Sequence, residues 1–137
     1  RAVLDVGCGY NEFRGKIDNL IGIDPYNDQA DHEVSTLEYR TNQKFDVIMC
    51  LGSINFGSKD KILAEIGRCV DLLADGGTMF FRVNPGVQHN KPEANWIEFF
   101  AWNVPFIIEL SEIFNLKVLD IRDDSNQRKY FIYRKVK

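Results

Sequence analysis

Apolar positions along this chain follow two alternating rhythms, short unbroken runs and stripes at helical spacing. Ala2–Val6 is apolar apart from Asp5, Leu20–Asp24 forms a second short run, and Phe45–Leu51 a longer one. Continuous runs of this length, bounded by glycine and polar clusters, predict strands covered on both faces, as in a parallel sheet. Tyr10–Asn19 leaves room for only about two helical turns between the first two runs. His32–Ser35, after the polar loop Asn27–Asp31, predicts a weak third strand. Ile62, Leu63, Ile66, Cys69, Val70 and Leu73 recur at helical spacing. Ser58 can cap that helix and Gly76-Gly77 predicts its end, with Thr78–Val83 as the next strand.

Two prolines punctuate the second half. Pro92 can open a helix with Trp96, Phe99 and Phe100 on one face, a stripe read as docking on the sheet. Trp102 falls off that stripe and is expected to line an acceptor pocket or an oligomer contact. Pro105 can open another helix carrying Ile107, Leu110 and Phe114. Lys117–Ile121 and Lys129–Arg134 flank Asp123-Asp124-Ser125-Asn126, which is hairpin chemistry. Strand-helix alternation closing with an antiparallel hairpin predicts an α/β, doubly wound, mostly parallel sheet with one reversed strand. In such sheets ligands bind beyond the carboxyl ends of the strands, where the strand order switches.

Composition adds bounds. At 137 residues the chain is read as one domain, 1–137, with a segment before Arg1 trimmed. A net charge of −3 gives no global basic field, so nucleic acid is not indicated as an obligatory partner. Arg128, Lys129, Arg134, Lys135 and Lys137 cluster near the end. They are read as charges protecting a solvated edge strand, with a phosphate-binding stripe as the alternative. Cys8, Cys50 and Cys69 show no C-x-x-C spacing, which fits reduced thiols in a cytoplasmic protein without a zinc site or disulfide frame. No apolar run is long enough to span a membrane.

The candidate chemistry lies where the first two strands end. Val3-Leu4-Asp5-Val6 runs into Gly7-Cys8-Gly9, and Ile21-Gly22-Ile23 runs into Asp24. Glycines let the backbone approach a ligand where a Cβ would collide, and a carboxylate at the next strand end can accept both hydroxyls of a ribose. Gly7-Cys8-Gly9 alone also reads as a plain tight turn. The third glycine of the dinucleotide fingerprint is replaced by Glu12, which weakens a nicotinamide-binding reading and suits a cationic or phosphate-free ligand.

Those residues resemble the class I S-adenosylmethionine-dependent methyltransferases, in their compact branch. Leu4-Asp5-Val6-Gly7-Cys8-Gly9 is similar to the first motif and Ile23-Asp24 to the acidic end of the second strand. Phe45-Asp46-Val47-Ile48 resembles the fourth strand, and Thr78–Val83 the fifth. The resemblance implies a Rossmann-like sheet of seven strands in the order 3-2-1-4-5-7-6, strand 7 reversed. It also implies S-adenosyl-L-methionine as cofactor, with Gly7, Cys8 and Gly9 along its methionine part and Asp5 ordering its amino group. Asp24 would take the ribose hydroxyls, with Pro25 or Tyr26 against the adenine. Ser35 stands where the family commonly places an acidic residue for the adenine amine. Leu51 and Gly52, with Ser53-Ile54-Asn55-Phe56, would floor the sulfonium, while Asp46 is read as a structural cap.

The reaction implied is in-line displacement on the methyl group. Alignment and water exclusion supply roughly 7–11 kcal/mol in favourable cases of this kind. A base is needed only for an acceptor protonated at working pH. His89 is the candidate base, with Asn55 and Asn84 as acceptor-orienting amides, while His32 is placed away from the transfer point. The acceptor is unidentified, a small molecule being favoured; no membrane is implied, and the oligomeric state stays open. The alternative is a cofactor-binding module of the same fold without catalysis.

Overall fold

A computed structural model describes residues 1–51, 54, 58–83, 102–123 and 128–136. Six strands form one sheet: β1 (Val3–Val6), β2 (Leu20–Ile23), β3 (Phe45–Cys50), β4 (Leu73–Val83), β5 (Leu116–Asp123) and β6 (Lys129–Lys135). Their order is β2-β1-β3-β4-β6-β5. β2, β1, β3 and β4 pair in parallel, while β6 runs antiparallel to both β4 and β5. The expected α/β plan of a mostly parallel sheet with one reversed strand is therefore present, with six strands among the described residues rather than seven, and with both described helices on one face.

The strand that is missing is the one expected at His32–Ser35. Only one bridge forms there, between Ile23 and His32. The Asp31 side chain takes the reason for a strand away. Its carboxylate accepts the Gly22 N–H at 2.8 Å, while Gly22 O accepts from the N–H groups of Asp31 (2.9 Å) and His32 (3.3 Å). A loop thus satisfies the edge of β2 that a strand would otherwise pair.

Tyr10–Asn19 does not form the two helical turns expected of it. Gly9, Asn11, Gly15 and Asn19 all have positive φ, from 57° to 79°. An α-helix needs φ near −60° at every residue, and glycine and asparagine are the residues that tolerate the left-handed region. The segment is instead a run of turns, tied down where the Asn11 amide donates to Gln29 O (3.1 Å) and Asp31 Oδ2 (3.3 Å).

α1 (Lys59–Leu72) starts where Ser58 Oγ accepts the Lys61 N–H, as its sequence predicts, and buries Ile62, Ile66, Cys69 and Leu72. It runs directly into β4, so Gly76-Gly77 does not end the helix. Leu73 pairs with Phe45, and pairing resumes only at Thr78 with Val47, which leaves Ala74–Gly77 as a bulge with Gly76 at φ 78°. The orphan carbonyls of the last helical turn are taken by lysines: Lys44 Nζ donates to Asp71 O, and Lys135 Nζ to Val70 O and Leu73 O, both at 2.9 Å.

α2 (Val104–Ile113) is capped by Asn103, whose Oδ1 accepts the Phe106 N–H at 2.9 Å, with Pro105 in its first turn. It lies beside α1 on one face of the sheet: Lys59 Nζ meets Glu109 at 3.1 Å, and Tyr133 Oη donates to Ile107 O at 2.6 Å. Under it, Phe81 and Phe131 stack with centroids 4.7 Å apart. Trp102 is fully buried against Phe106 and Phe131, so it belongs to the core and not to an acceptor pocket or an oligomer contact. The reading of the basic C-terminal strand as an edge is also corrected. β6 is flanked on both sides and β5 is the edge. The helix expected after Pro92 and its Trp96, Phe99 and Phe100 lie outside the described residues. No described helix is long and apolar enough to cross a membrane.

Candidate functional site

β1 and β2 are four residues each and in register from Val3–Leu20 to Val6–Ile23, so they end together. Beyond β1 the chain turns through Gly7 (φ 70°) and Gly9 (φ 57°), a conformation that favours glycine at both positions. The N–H groups of Gly7 and Cys8 both donate to Ile23 O, at 2.8 and 3.0 Å, which pins the turn to the end of β2.

Asp24 faces this turn. Its Oδ2 accepts the Gly9 N–H at 3.0 Å and its Oδ1 the Tyr26 N–H at 2.8 Å. Two backbone donors hold the carboxylate at fixed orientation. Each oxygen accepts one of these bonds and can accept another from a ligand hydroxyl. Asp46 plays the structural part expected of it, its Oδ2 accepting the Ala2 N–H at 2.9 Å.

A cavity of about 590 Å³ opens beside the turn, lined by Gly7, Pro25, Tyr26, Ser35, Glu38 and Glu65 among others. Its size lies within the range of small-ligand pockets. Four of the residues singled out from the sequence, Gly7, Pro25, Tyr26 and Ser35, meet at it. Tyr26 is almost fully exposed, and Leu51 stands half-exposed just past the end of β3. A hollow of about 420 Å³ between Asp75, Lys117 and Arg134 lies on other elements and contains none of those residues. Gly52, Asn55, Asn84 and His89 lie outside the described residues. His32 rests on the Tyr39 ring, with centroids 5.5 Å apart.

The electrostatics beneath the turn are acidic. Asp5 is 4% exposed. Burial, and then the charge of Asp24, push its carboxyl from the ordinary 3.8 up to about 6. Cys8 is pushed up to about 11 by burial and by the charges of Asp5, Asp24 and Asp31, which makes it a poor nucleophile. Both effects follow from concentrating carboxylates where water is scarce, and a cationic ligand placed there would relieve both.

Several contributors escape a reading of the sequence. Gly22 is a packing glycine: a Cβ there would stand 2.4 Å from Asn11 Oδ1 and 2.8 Å from Cys8 Sγ. Ser35 does not face the cavity alone. Its hydroxyl donates to Glu38 Oε1 at 2.8 Å and accepts the Glu38 N–H at 3.2 Å, a reciprocal pair at the spacing of a capping box but with the carboxylate on the hydroxyl and not on the Ser35 N–H. The S-x-x-E spacing of Ser35 and Glu38 is visible in the sequence and signals this pair. Lys61 and Glu65, 3.8 Å apart on α1, form the far wall. Only tertiary packing brings them there.

Sheet order, the reversed strand and the paired ends of β1 and β2 together define the fold of the class I S-adenosylmethionine-dependent methyltransferases. Solved structures similar to this chain have that fold. An S-adenosylmethionine-dependent methyltransferase from Clostridium acetobutylicum is 16% identical, aligned over 99% of this chain and 84% of that one with a TM-score of 0.76. The 1,6-didemethyltoxoflavin-N1-methyltransferase of Burkholderia thailandensis, solved with 1,6-didemethyltoxoflavin and S-adenosylhomocysteine bound, is 15% identical over 99% and 71% with a TM-score of 0.78. The N-methyltransferase NodS from Bradyrhizobium japonicum is 17% identical over 99% and 86% with a TM-score of 0.69. At these identities the likeness is one of fold. No family model and no curated protein matches the sequence.

Proposed function

We propose that the chain is an S-adenosylmethionine-dependent methyltransferase whose single domain, 1–137, holds the cofactor where β1 and β2 end. The observation that carries this reading is the Asp24 carboxylate, fixed by Gly9 and Tyr26 N–H groups beside a cavity of nucleoside size. Asp24 takes the ribose hydroxyls, and Gly7, Cys8 and Gly9 run along the methionine part over the buried charge of Asp5. Pro25, Tyr26 and Ser35 border the adenine, while Leu51 and Gly52 floor the sulfonium. Acidic surroundings suit a ligand that carries both a sulfonium and an ammonium. The fold shared with the methyltransferases of C. acetobutylicum and B. thailandensis supports the same reading.

The cofactor supplies an electrophilic methyl group with a good leaving group. The residues of this chain bind, orient and exclude water, and a base is required only for a protonated acceptor. His89 is the proposed base, with Asn55 and Asn84 orienting the acceptor. A small-molecule acceptor is favoured because a neighbouring fold holds 1,6-didemethyltoxoflavin and another apigenin. Free thiols at Cys8, Cys50 and Cys69 suit a reducing compartment, and we place the protein in the cytoplasm.

Isothermal titration with S-adenosylmethionine and S-adenosylhomocysteine tests the site, and a radiolabelled methyl-transfer screen tests the reaction. Micromolar binding that Asp24→Ala weakens more than tenfold is expected. Binding without transfer to any acceptor class would leave a cofactor-binding module, and tighter binding of NAD would point to a nicotinamide site.

A further inference from the structure

One wall of the cavity beside the glycine turn comes from α1, where Lys61 and Glu65 reach it. Glu65 is well buried for a carboxylate on a helix: its side chain is 15% exposed, against 58% for Lys61. Burial pushes its carboxyl above the ordinary 4.5, and the Lys61 charge pulls the other way. Among the described residues Glu65 has no side-chain hydrogen bond. The Lys61 ammonium stands 3.8 Å away, an ion pair too long for one. Lys ahead of Glu at this spacing is also the weaker order on a helix, so the pair does not account for a carboxylate held out of water.

The second carboxylate on the cavity is already engaged, because Glu38 accepts from the Ser35 hydroxyl at 2.8 Å. Ile23, Val34 and Leu37 line the cavity with apolar surface that suits the faces of a flat ring. Such a cavity, with a carboxylate on one wall that lacks a donor, fits a planar ligand carrying an N–H group at its edge. Asp24 lies between two lining residues, Ile23 and Pro25, with its carboxylate fixed for ribose hydroxyls. In adenosine the sugar is joined at N9, and the exocyclic amine is at the opposite end of the base. A ribose held at Asp24 therefore leaves the amine for the wall across the cavity, which is α1.

We propose that Glu65 accepts a hydrogen bond from the exocyclic amine of the cofactor's adenine and so selects a 6-amino purine, a part that Ser35, held by Glu38, does not take. The assignment rests on the cofactor reading above and adds the side chain that sets the choice of base.

Isothermal titration of the full chain with S-adenosyl-L-homocysteine and S-inosyl-L-homocysteine tests it, because the two differ only at the 6-amino or 6-oxo edge of the base. The parent should prefer the adenosyl compound about tenfold or more, since the oxo group turns its lone pairs on a buried carboxylate. Glu65→Gln should bring the ratio to within about threefold of one, because an amide can accept from the amine or donate to the oxo group. A merely structural Glu65 would lower both affinities in step and leave the ratio alone. Glu38→Gln should leave the ratio at the parental value. Melting curves check that each variant folds, and the parental ratio tests the proposal without any variant. Equal binding of the two compounds by the parent overturns the proposal and leaves the cofactor reading intact. A preference that survives Glu65→Gln, or that disappears in Glu38→Gln, does the same. Binding of neither compound overturns the cofactor reading and the role of Glu65 with it.

Discussion

The two ends of the sheet are built by different means. At the β1–β2 end the strands are four residues long, the backbone turns through left-handed glycines and asparagines, and carboxylates hold the pieces together by accepting backbone N–H groups. At the β4–β6–β5 end the strands run to eleven, seven and eight residues over a stack of Trp102, Phe106, Phe81, Phe131 and Tyr133. The first end offers directed polar groups to a ligand, whereas the second buries apolar area. Cohesion is therefore concentrated away from the site, and the site end is the less expensive one to disturb.

The sharpest way to break this comparison is to open the aromatic end. Trp102→Ala removes a fully buried indole and should lower unfolding free energy by about 3–5 kcal/mol in a urea titration. Nucleoside affinity, measured well below the unfolding midpoint, should stay within about twofold of the parent. A large loss of affinity in still-folded protein would mean that the two ends are coupled through the sheet.

Asp5 gives the next largest effect, with a sign that runs against the usual carboxylate. Its carboxyl rises from 3.8 to about 6 on folding, so the folded state binds the proton more tightly than the unfolded chain. The favourable contribution is present below pH 4 and is lost as pH rises toward 6. Asp5→Asn should remove that slope and leave the protein more stable at pH 7, by on the order of 2 kcal/mol. Binding of the cationic cofactor should respond in the opposite sense. Parental affinity should rise between pH 5 and 7 as Asp5 ionises, and the variant should bind more weakly with little pH dependence across that window. Stability curves and titrations at four pH values check both halves.

Gly22→Ala probes how closely the turn is fitted. The new methyl group collides with Asn11 Oδ1 and Cys8 Sγ, so the segment after Gly7 must shift. The expected cost is about 1–3 kcal/mol, with a loss of S-adenosylhomocysteine affinity of more than tenfold. Loss of stability with unchanged affinity would show that the segment carrying Asn11 does not shape the site.

What the sequence made legible follows the same division. The glycine bend and Asp24 could be read directly because each is a local signal at a strand end, and the fold supplies the meeting of the two. The long strands and both capped helices were equally plain, since Ser58 and Pro105 mark their starts. What stayed hidden involved competition between a local signal and a distant partner. Asn11 and Asn19 adopt positive φ that a count of residues cannot reveal. Asp31 reaches back to Gly22 and replaces a strand pairing, while Gly76-Gly77 serves a bulge and not a helix stop. Lys61 and Glu65 look like an ordinary exposed pair until the fold turns them toward the cavity.

The smallest effect compares one chemistry in both regions. Ser58 and Ser35 each accept a backbone N–H three residues on, from Lys61 and Glu38, both at 3.2 Å. Ser58 starts a helix packed on the core, so Ser58→Ala should cost about 1 kcal/mol of global stability and leave nucleoside affinity unchanged. Ser35 starts a single turn that borders the cavity and places one apolar side chain, Tyr39, in the core. Ser35→Ala should cost only a few tenths of a kcal/mol globally, because a turn of this kind opens locally well before the sheet does. Its consequence should appear in binding instead. Without the Ser35 hydroxyl the Glu38 carboxylate loses its 2.8 Å partner and swings free at the rim, and affinity should fall a few fold. Paired urea titrations and calorimetry on the two variants measure this crossing of effects, and parallel losses in both quantities would show that the two ends respond as one body.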